Sequence, residues 1–155
     1  LREDSSWTRG QGWAIYGFAI SARHTGEARY LQAARKTADY FIRRIPESGL
    51  IPVDFEQPEV PAWEDCAAAV IAASGMIEIA EQLEEKDGEP YLQQALRLLK
   101  TLYEQRCSWS REEECILENC TAAYHGSEHH IHMIYGDYFF MEAVFRLCGP
   151  SVSIW

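Results

Sequence analysis

One segment of this chain occurs twice, and the repetition limits the folds open to it. Gly26-Glu27-Ala28-Arg29-Tyr30-Leu31-Gln32-Ala33-Ala34 resembles Gly88-Glu89-Pro90-Tyr91-Leu92-Gln93-Gln94-Ala95 with one gap. Each copy follows a helix and a glycine turn, and each opens another helix. Phe140 to Gly149 looks like the first helix of a third copy. The unit is a helix pair of roughly 60 residues. Such pairs stack side by side, because each needs neighbours to cover its apolar face. The chain holds about two and a half pairs, so it makes an open arc or part of a closed ring. An open arc leaves apolar edges, which predicts a missing segment or a partner chain.

Hydrophobic periodicity places the elements. A first helix is expected from Gly12 to His24, with Trp13, Tyr16, Ala19 and Ile20 on one side and Thr25-Gly26 as its stop. A second runs from Ala28 to Arg44, and Arg43 and Arg44 suit its C-terminal end. A third, rich in alanine, starts at Asp65 as N-cap and reaches Leu83; its small residues predict tight packing on both sides. Pro90 opens a fourth, at a position where proline is tolerated, and the helix ends near Cys107. The last runs from Tyr138 to Leu147, capped by Asp137. Two long connections remain, residues 49–64 and 108–135, and loops of that length are often functional. Ile51 to Phe55 reads as a short extended piece, but no strand pair is convincing. The class is all-α, and residues 1–155 form a single domain.

The net charge of -10 carries no basic run, which argues against nucleic acid and against an anionic membrane surface. No apolar run has transmembrane length, and no signal peptide is recognisable. The chain opens with Leu1 rather than methionine, which reads as a processed or partial chain. Five cysteines, with no CxxC pair, point to reduced thiols and a cytoplasmic protein rather than a disulfide framework.

Four stretches carry candidate chemistry. The first is Ser6-Trp7-Thr8-Arg9-Gly10-Gln11-Gly12-Trp13-Ala14-Ile15-Tyr16-Gly17-Phe18. A cation at a helix start opposes the dipole, and beside free N–H groups it makes an anion site. Two indoles supply flat apolar faces, and the glycines allow close approach. An anionic ring between the indoles, its charge held by Arg9, suits the set. The plain alternative is a helix start with two core tryptophans and a surface arginine.

The second stretch is Trp63-Glu64-Asp65-Cys66-Ala67-Ala68-Ala69, where acids at a helix start cap it or a loop delivers Asp65 or Trp63 to a cleft. Asp54, between Val53 and Phe55, is either a satisfied structural acid or one with a raised pKa. The third stretch holds His125, His129, His130 and His132. It reads as a polar loop lining a pocket, or, with Cys115 and Cys120, as a metal site whose spacing fits no finger. In the fourth, Ile134 to Glu142, the aromatics build core, and Tyr135 or Tyr138 can face a ligand.

Together these stretches resemble the unsaturated glucuronyl hydrolases. Trp7 to Phe18 resembles that family's W-S-R-G-Q-A-W-x-I-Y-G-F, with Thr8 and Gly12 as departures. Val53-Asp54-Phe55 resembles its W-D-F, Asp65 to Ala69 its D-S-S-A-A, and Tyr135 to Phe140 its closing W-G-D-Y-F. The resemblance implies a partial (α/α)6 toroid, the C-terminal portion only, of about two and a half helix hairpins. It implies a glycoside hydrolase that hydrates the 4,5-double bond of an unsaturated uronic acid at the non-reducing end of lyase-generated oligosaccharides. That is general acid–base work, outside the usual two-carboxylate scheme.

Carried over, Arg9 binds the uronate carboxylate or nearby polar groups, Trp7 and Trp13 form sugar-contacting walls, and Gln11 joins them. The family's catalytic aspartates lie ahead of the first motif, so none is expected in this chain, which alone should be inactive. No cofactor or metal is expected. The partners are an unsaturated uronyl oligosaccharide and either a complementing N-terminal half or a second copy of the chain. No lysine or arginine lies between Arg111 and Arg146, which argues against a sulfate preference. The competing reading is a non-catalytic helical-repeat module that binds carbohydrate or protein.

Overall fold

The computed structural model describes residues 5–149. Its helices are α1 (Thr8–Thr25), α2 (Ala28–Arg44), α3 (Cys66–Glu81), α4 (Glu85–Gln105) and α5 (Ile134–Cys148). Among the described residues no strand forms, and extended segments meet only at isolated bridges. α1 packs on α2 and α3 on α4, giving two hairpins, and α5 supplies the half. α1, α3 and α5 lie in one layer with α3 in the middle, and α2 and α4 form the other.

The middle helix explains the packing. Every residue of α3 from Cys66 to Ile79 is buried. A helix that is apolar all round belongs in a core. Its small residues let neighbours approach closely. A Cβ on Gly75 would fall 2.7 Å from the Tyr16 amide nitrogen, so the backbone of α1 crosses α3 there. At Gly12 a Cβ would come within 3.2 Å of the Ala68 carbonyl oxygen, marking a second close approach of the same pair.

The three helices of this layer run parallel. Their N-terminal ends meet around Arg9, Asp65 and Tyr135. Their C-terminal ends meet in an ion-pair cluster. Arg23 of α1 bonds Glu78 and Glu81 of α3, and Arg146 of α5 bonds the same two acids. Between these ends the Tyr16 hydroxyl donates to Glu142 at 2.9 Å, joining α1 to α5. Burial pushes both groups' pKa values up.

Helix starts depart from the sequence expectation. α1 begins at Thr8 rather than Gly12, because Thr8 is held by the next connection: its amide and its hydroxyl both donate to backbone carbonyls of residues 52 and 53. α4 begins at Glu85, so Pro90 and Gly88 lie inside it, not at its opening. Glu85 and Asp87 in the first turn suit the dipole, and the buried stripe from Tyr91 to Leu102 outweighs the one main-chain bond that proline removes. α5 begins at Ile134, which places Asp137 within the first turn instead of at the cap. Its carboxylate accepts the amides of Ile116 and Leu117. Gly26 ends α1 in the left-handed conformation at φ 71°, as the Thr25-Gly26 stop predicts.

The close α1–α3 crossing makes a prediction. Gly75→Ala forces α1 off α3 and is expected to cost about 2 kcal/mol or more. Gly17→Ala, where an added Cβ meets nothing within 4 Å, is expected to add roughly 0.5–1 kcal/mol of stability. Urea unfolding followed by circular dichroism measures both.

Candidate functional site

The N-terminal ends of α1, α3 and α5 are joined by the two long connections. Residues 6–8 lie antiparallel against 52–55: Thr8 N donates to Val53 O at 3.0 Å and Phe55 N to Ser6 O at 3.1 Å. The same connection folds back on itself, with Val53 N donating to Trp63 O and Asp65 N to Ile51 O. The second connection reaches α3 where Cys66 N donates to Asn119 O. Arg106 closes a two-point bond on Glu64, at 2.7 and 2.9 Å, and holds its carboxyl below the usual carboxylate range.

Arg9 sits at the centre of this end. Only 5% of it is exposed. Its Nε donates to Asp65 Oδ2 at 2.7 Å, Nη1 to the Tyr135 hydroxyl and Nη2 to the Thr121 carbonyl. One guanidinium therefore bonds α3, α5 and the second connection from the first turn of α1. Asp65 stands at the N-cap position of α3, but its side chain makes no cap; it turns to Arg9. Complete burial pushes the Asp65 carboxyl up, and the Arg9 charge pulls it the other way. The Tyr135 phenol is likewise raised by burial and lowered by Arg9. Beside them the Cys120 thiol is pushed up to about 12 by burial, and Asp65 adds to the shift.

A cleft of about 470 Å³ opens above this bolt. Trp7 forms its floor and is 41% exposed. Asp54, Glu56, Gln57 and Pro58 line one side, and Ala122 to His125 the other. The Arg9 guanidinium backs the Trp7 indole at 5.7 Å from the ring centroid, within cation–π range. Gly10 lets the indole lie back over the first turn, since a Cβ there would come within 2.8 Å of the ring. Asp54 is a satisfied structural acid: it accepts from Ser5 Oγ and from the amides of Ser6 and Glu56.

The candidate residues thus part ways. Trp7 lines the cleft. Arg9 lies beneath it with its charge met by Asp65, rather than standing bare toward a ligand. Trp13 is 39% exposed and packs against Phe139 and Tyr135, outside the cleft lining. Gln11 is half-buried on the same turn. Trp63 is not delivered to the cleft; it stacks on His129 with centroids 4.1 Å apart. The histidines separate, His125 to the cleft, His129 to Trp63 and His132 to Cys115. Ser5, Gln57, Pro58 and Tyr124 line the cleft without any local signature; the length of the two connections pointed to the last three, and nothing pointed to Ser5.

The chain is 38% identical, over 99% of its length, to the unsaturated glucuronyl hydrolase of Bacillus sp. strain GL1. The crystal structure of that Bacillus enzyme superposes with a TM-score of 0.87 at 35% identity, over 93% of this chain. Over the length it spans, the chain matches the unsaturated glucuronyl hydrolase family. A Streptococcus agalactiae unsaturated glucuronyl hydrolase mutant complexed with dGlcA-GalNAc6S gives a TM-score of 0.85 at 28% identity over 95% of the chain. No family model matches. The chain spans 42% of the length of the Bacillus relative and 40% of each of those solved chains. The five helices of the described residues are a partial (α/α)6 toroid of the unsaturated glucuronyl hydrolase kind. No helix among the described residues is long and apolar enough to cross a membrane.

Removing one partner of a buried pair strands the other. Arg9→Met or Asp65→Leu alone is expected to cost about 3–5 kcal/mol, while the double variant recovers most of the loss. Chemical denaturation of the four proteins, read as a double-mutant cycle, checks this.

Proposed function

We propose that this chain is the C-terminal portion of a glycoside hydrolase of the unsaturated glucuronyl hydrolase type, folded as one domain. The portion supplies a sugar-contacting wall, and the catalytic aspartates come from an N-terminal half. The whole enzyme hydrates the 4,5-double bond of an unsaturated uronic acid at the non-reducing end of a lyase-generated oligosaccharide. Chemically this is proton delivery to the vinyl ether and activation of water, both general acid–base tasks. The hemiketal that forms rearranges and releases the sugar.

The cleft over Trp7 carries the reading. Its floor is an indole open to solvent, and sugar rings pack on such faces through their C–H edges. Three parallel helices bring their positive ends to the same region, which favours a carboxylate in a chain of net charge -10. Two solved neighbours hold dGlcA-GalNAc6S and dGlcA-Glc-Rha-Glc, and dGlcA is common to both. In this chain Trp7 stacks on the sugar, Arg9 acts as a positioning residue behind the indole, and Trp13 and Gln11, outside the cleft lining, contact only a sugar that extends beyond it. The lack of lysine and arginine between Arg111 and Arg146 favours unsulfated substrates. Five free thiols fit a cytoplasmic enzyme.

The test is complementation. The 155-residue chain alone is expected to leave the ultraviolet absorbance of an unsaturated uronyl disaccharide unchanged. Mixed with, or fused to, the N-terminal half of the Bacillus relative, it is expected to bleach that absorbance. Trp7→Ala should lower kcat/KM about tenfold or more, equivalent to about 1.4 kcal/mol. Disaccharide binding without turnover in a folded complex would support the non-catalytic module instead. Neither binding nor turnover would overturn both readings.

A further inference from the structure

We propose that Glu113, Cys115 and His132 form a divalent-metal site, zinc by its donor chemistry, which fastens the early part of the connection between α4 and α5 to its last residues before α5. One donor atom from each residue lies within 4.8 Å of the others. Cys115 Sγ and His132 Nδ1 approach to 2.6 Å. Thiolate, imidazole and carboxylate together are a set that zinc accepts, with a fourth position left for water.

The donors come from two segments that hydrogen bonds already hold together, through the Asp137 carboxylate and the Cys120–Ile131 backbone pair. Ile116 N and Leu117 N, next to Cys115, donate to the Asp137 carboxylate at 3.1 and 2.7 Å. Ser108 N donates to Ile116 O at 2.8 Å. Ile131, next to His132, exchanges both amide bonds with Cys120 at 2.7 and 3.0 Å. The site is thus preformed on its backbone, and little ordering is left for a metal to impose. A tetrahedral zinc with ordinary bond lengths sets sulfur and nitrogen about 3.5 Å apart. His132 is exposed, so its ring can swing outward by the difference.

Charge supports a cation here. Glu112 and Glu114 flank Glu113, and no lysine or arginine occurs from Glu112 to Phe145. On binding, Cys115 loses its thiol proton to solvent, and a thiolate and a carboxylate then balance the two charges of the ion. Tyr124 and His125 of the same connection line the cleft, so the metal would steady one wall of it from the far end.

The experiment titrates the reduced, chelator-treated protein with zinc alone, then with cobalt(II) as a spectroscopic stand-in. One equivalent of zinc should stay bound through desalting. The cobalt form should show a thiolate charge-transfer band and the strong visible bands of a tetrahedral ion. Cys115→Ser should abolish the charge-transfer band, and His132→Ala or Glu113→Gln should weaken zinc binding at least about tenfold. Cys107→Ser and Cys148→Ser should leave the bands intact. As a check that needs no variant, zinc should shield Cys115, and not Cys148, from alkylation read by mass spectrometry. Substoichiometric zinc, a charge-transfer band that survives Cys115→Ser, or unshielded Cys115 would each overturn the site.

Discussion

The cleft end of the molecule depends on one buried ion pair. Arg9 and Asp65 are almost wholly removed from water, with side-chain exposures of 7% and 0%. An isolated charge at either position would be prohibitively costly, so each exists because the other does. Tyr135 and the Thr121 carbonyl take further donors of the same guanidinium. A planar fork with several donors can bind three partners at once, and a lysine ammonium in the same place lacks that geometry. The result is a fixed platform under Trp7, whose indole leans on the charge that the platform buries.

The parallel layer separates two tasks. At one end the helices present positive dipole ends, an ion pair and an open cleft. At the other, Glu78 and Glu81 collect Arg23 and Arg146 in one ion-pair cluster. The cations there lie near the C-terminal ends of α1 and α5, where the dipole favours them. Arg9 stands at the end where the dipole opposes a cation. Asp65 compensates that conflict, and it is the kind of local inconsistency that marks a functional end of a fold.

That conflict was legible in the sequence, but its resolution was not. A cation at a helix start does need an anion; the anion proved to be Asp65, 56 residues further on. Spacing along one helix carries no information about a partner on another. The same limit explains Asp65 and Asp137. Each precedes or opens a helix, so local capping rules claimed both, yet their carboxylates serve Arg9 and the amides of Ile116 and Leu117. The helix pairs, the Gly26 stop and the fully buried α3 were readable because they rest on periodicity and residue size. The cleft walls were not, because residues 54–58 and 122–125 belong to different connections, each placed by its own long-range bridge, Trp7 with Asp54 and Cys120 with Ile131. The family motif bridged part of that gap by placing Trp7 and Arg9 in one unit.

The position of α3 also decides how an incomplete ring holds together. Its buried surface is covered on every side by helices of this chain: α1 and α5 beside it, α4 behind, α2 at the corner. The core is therefore closed at the middle of the arc, and the open faces fall on its flanks. On one flank Phe18 is 39% exposed beside Tyr30; on the other Phe145 and Leu147 are 53% and 37% exposed. α5 has no outer-layer helix behind it among the described residues, unlike α1 and α3. Glu142, on that same helix, keeps Oε2 buried without a partner. A polar atom in that state requires a donor or a proton. Burial raises the Glu142 pKa, and the Tyr16 hydroxyl bond and the Arg146 charge pull it back. The flanks thus carry exposed apolar side chains, which fit a surface meant to be covered rather than one finished for water.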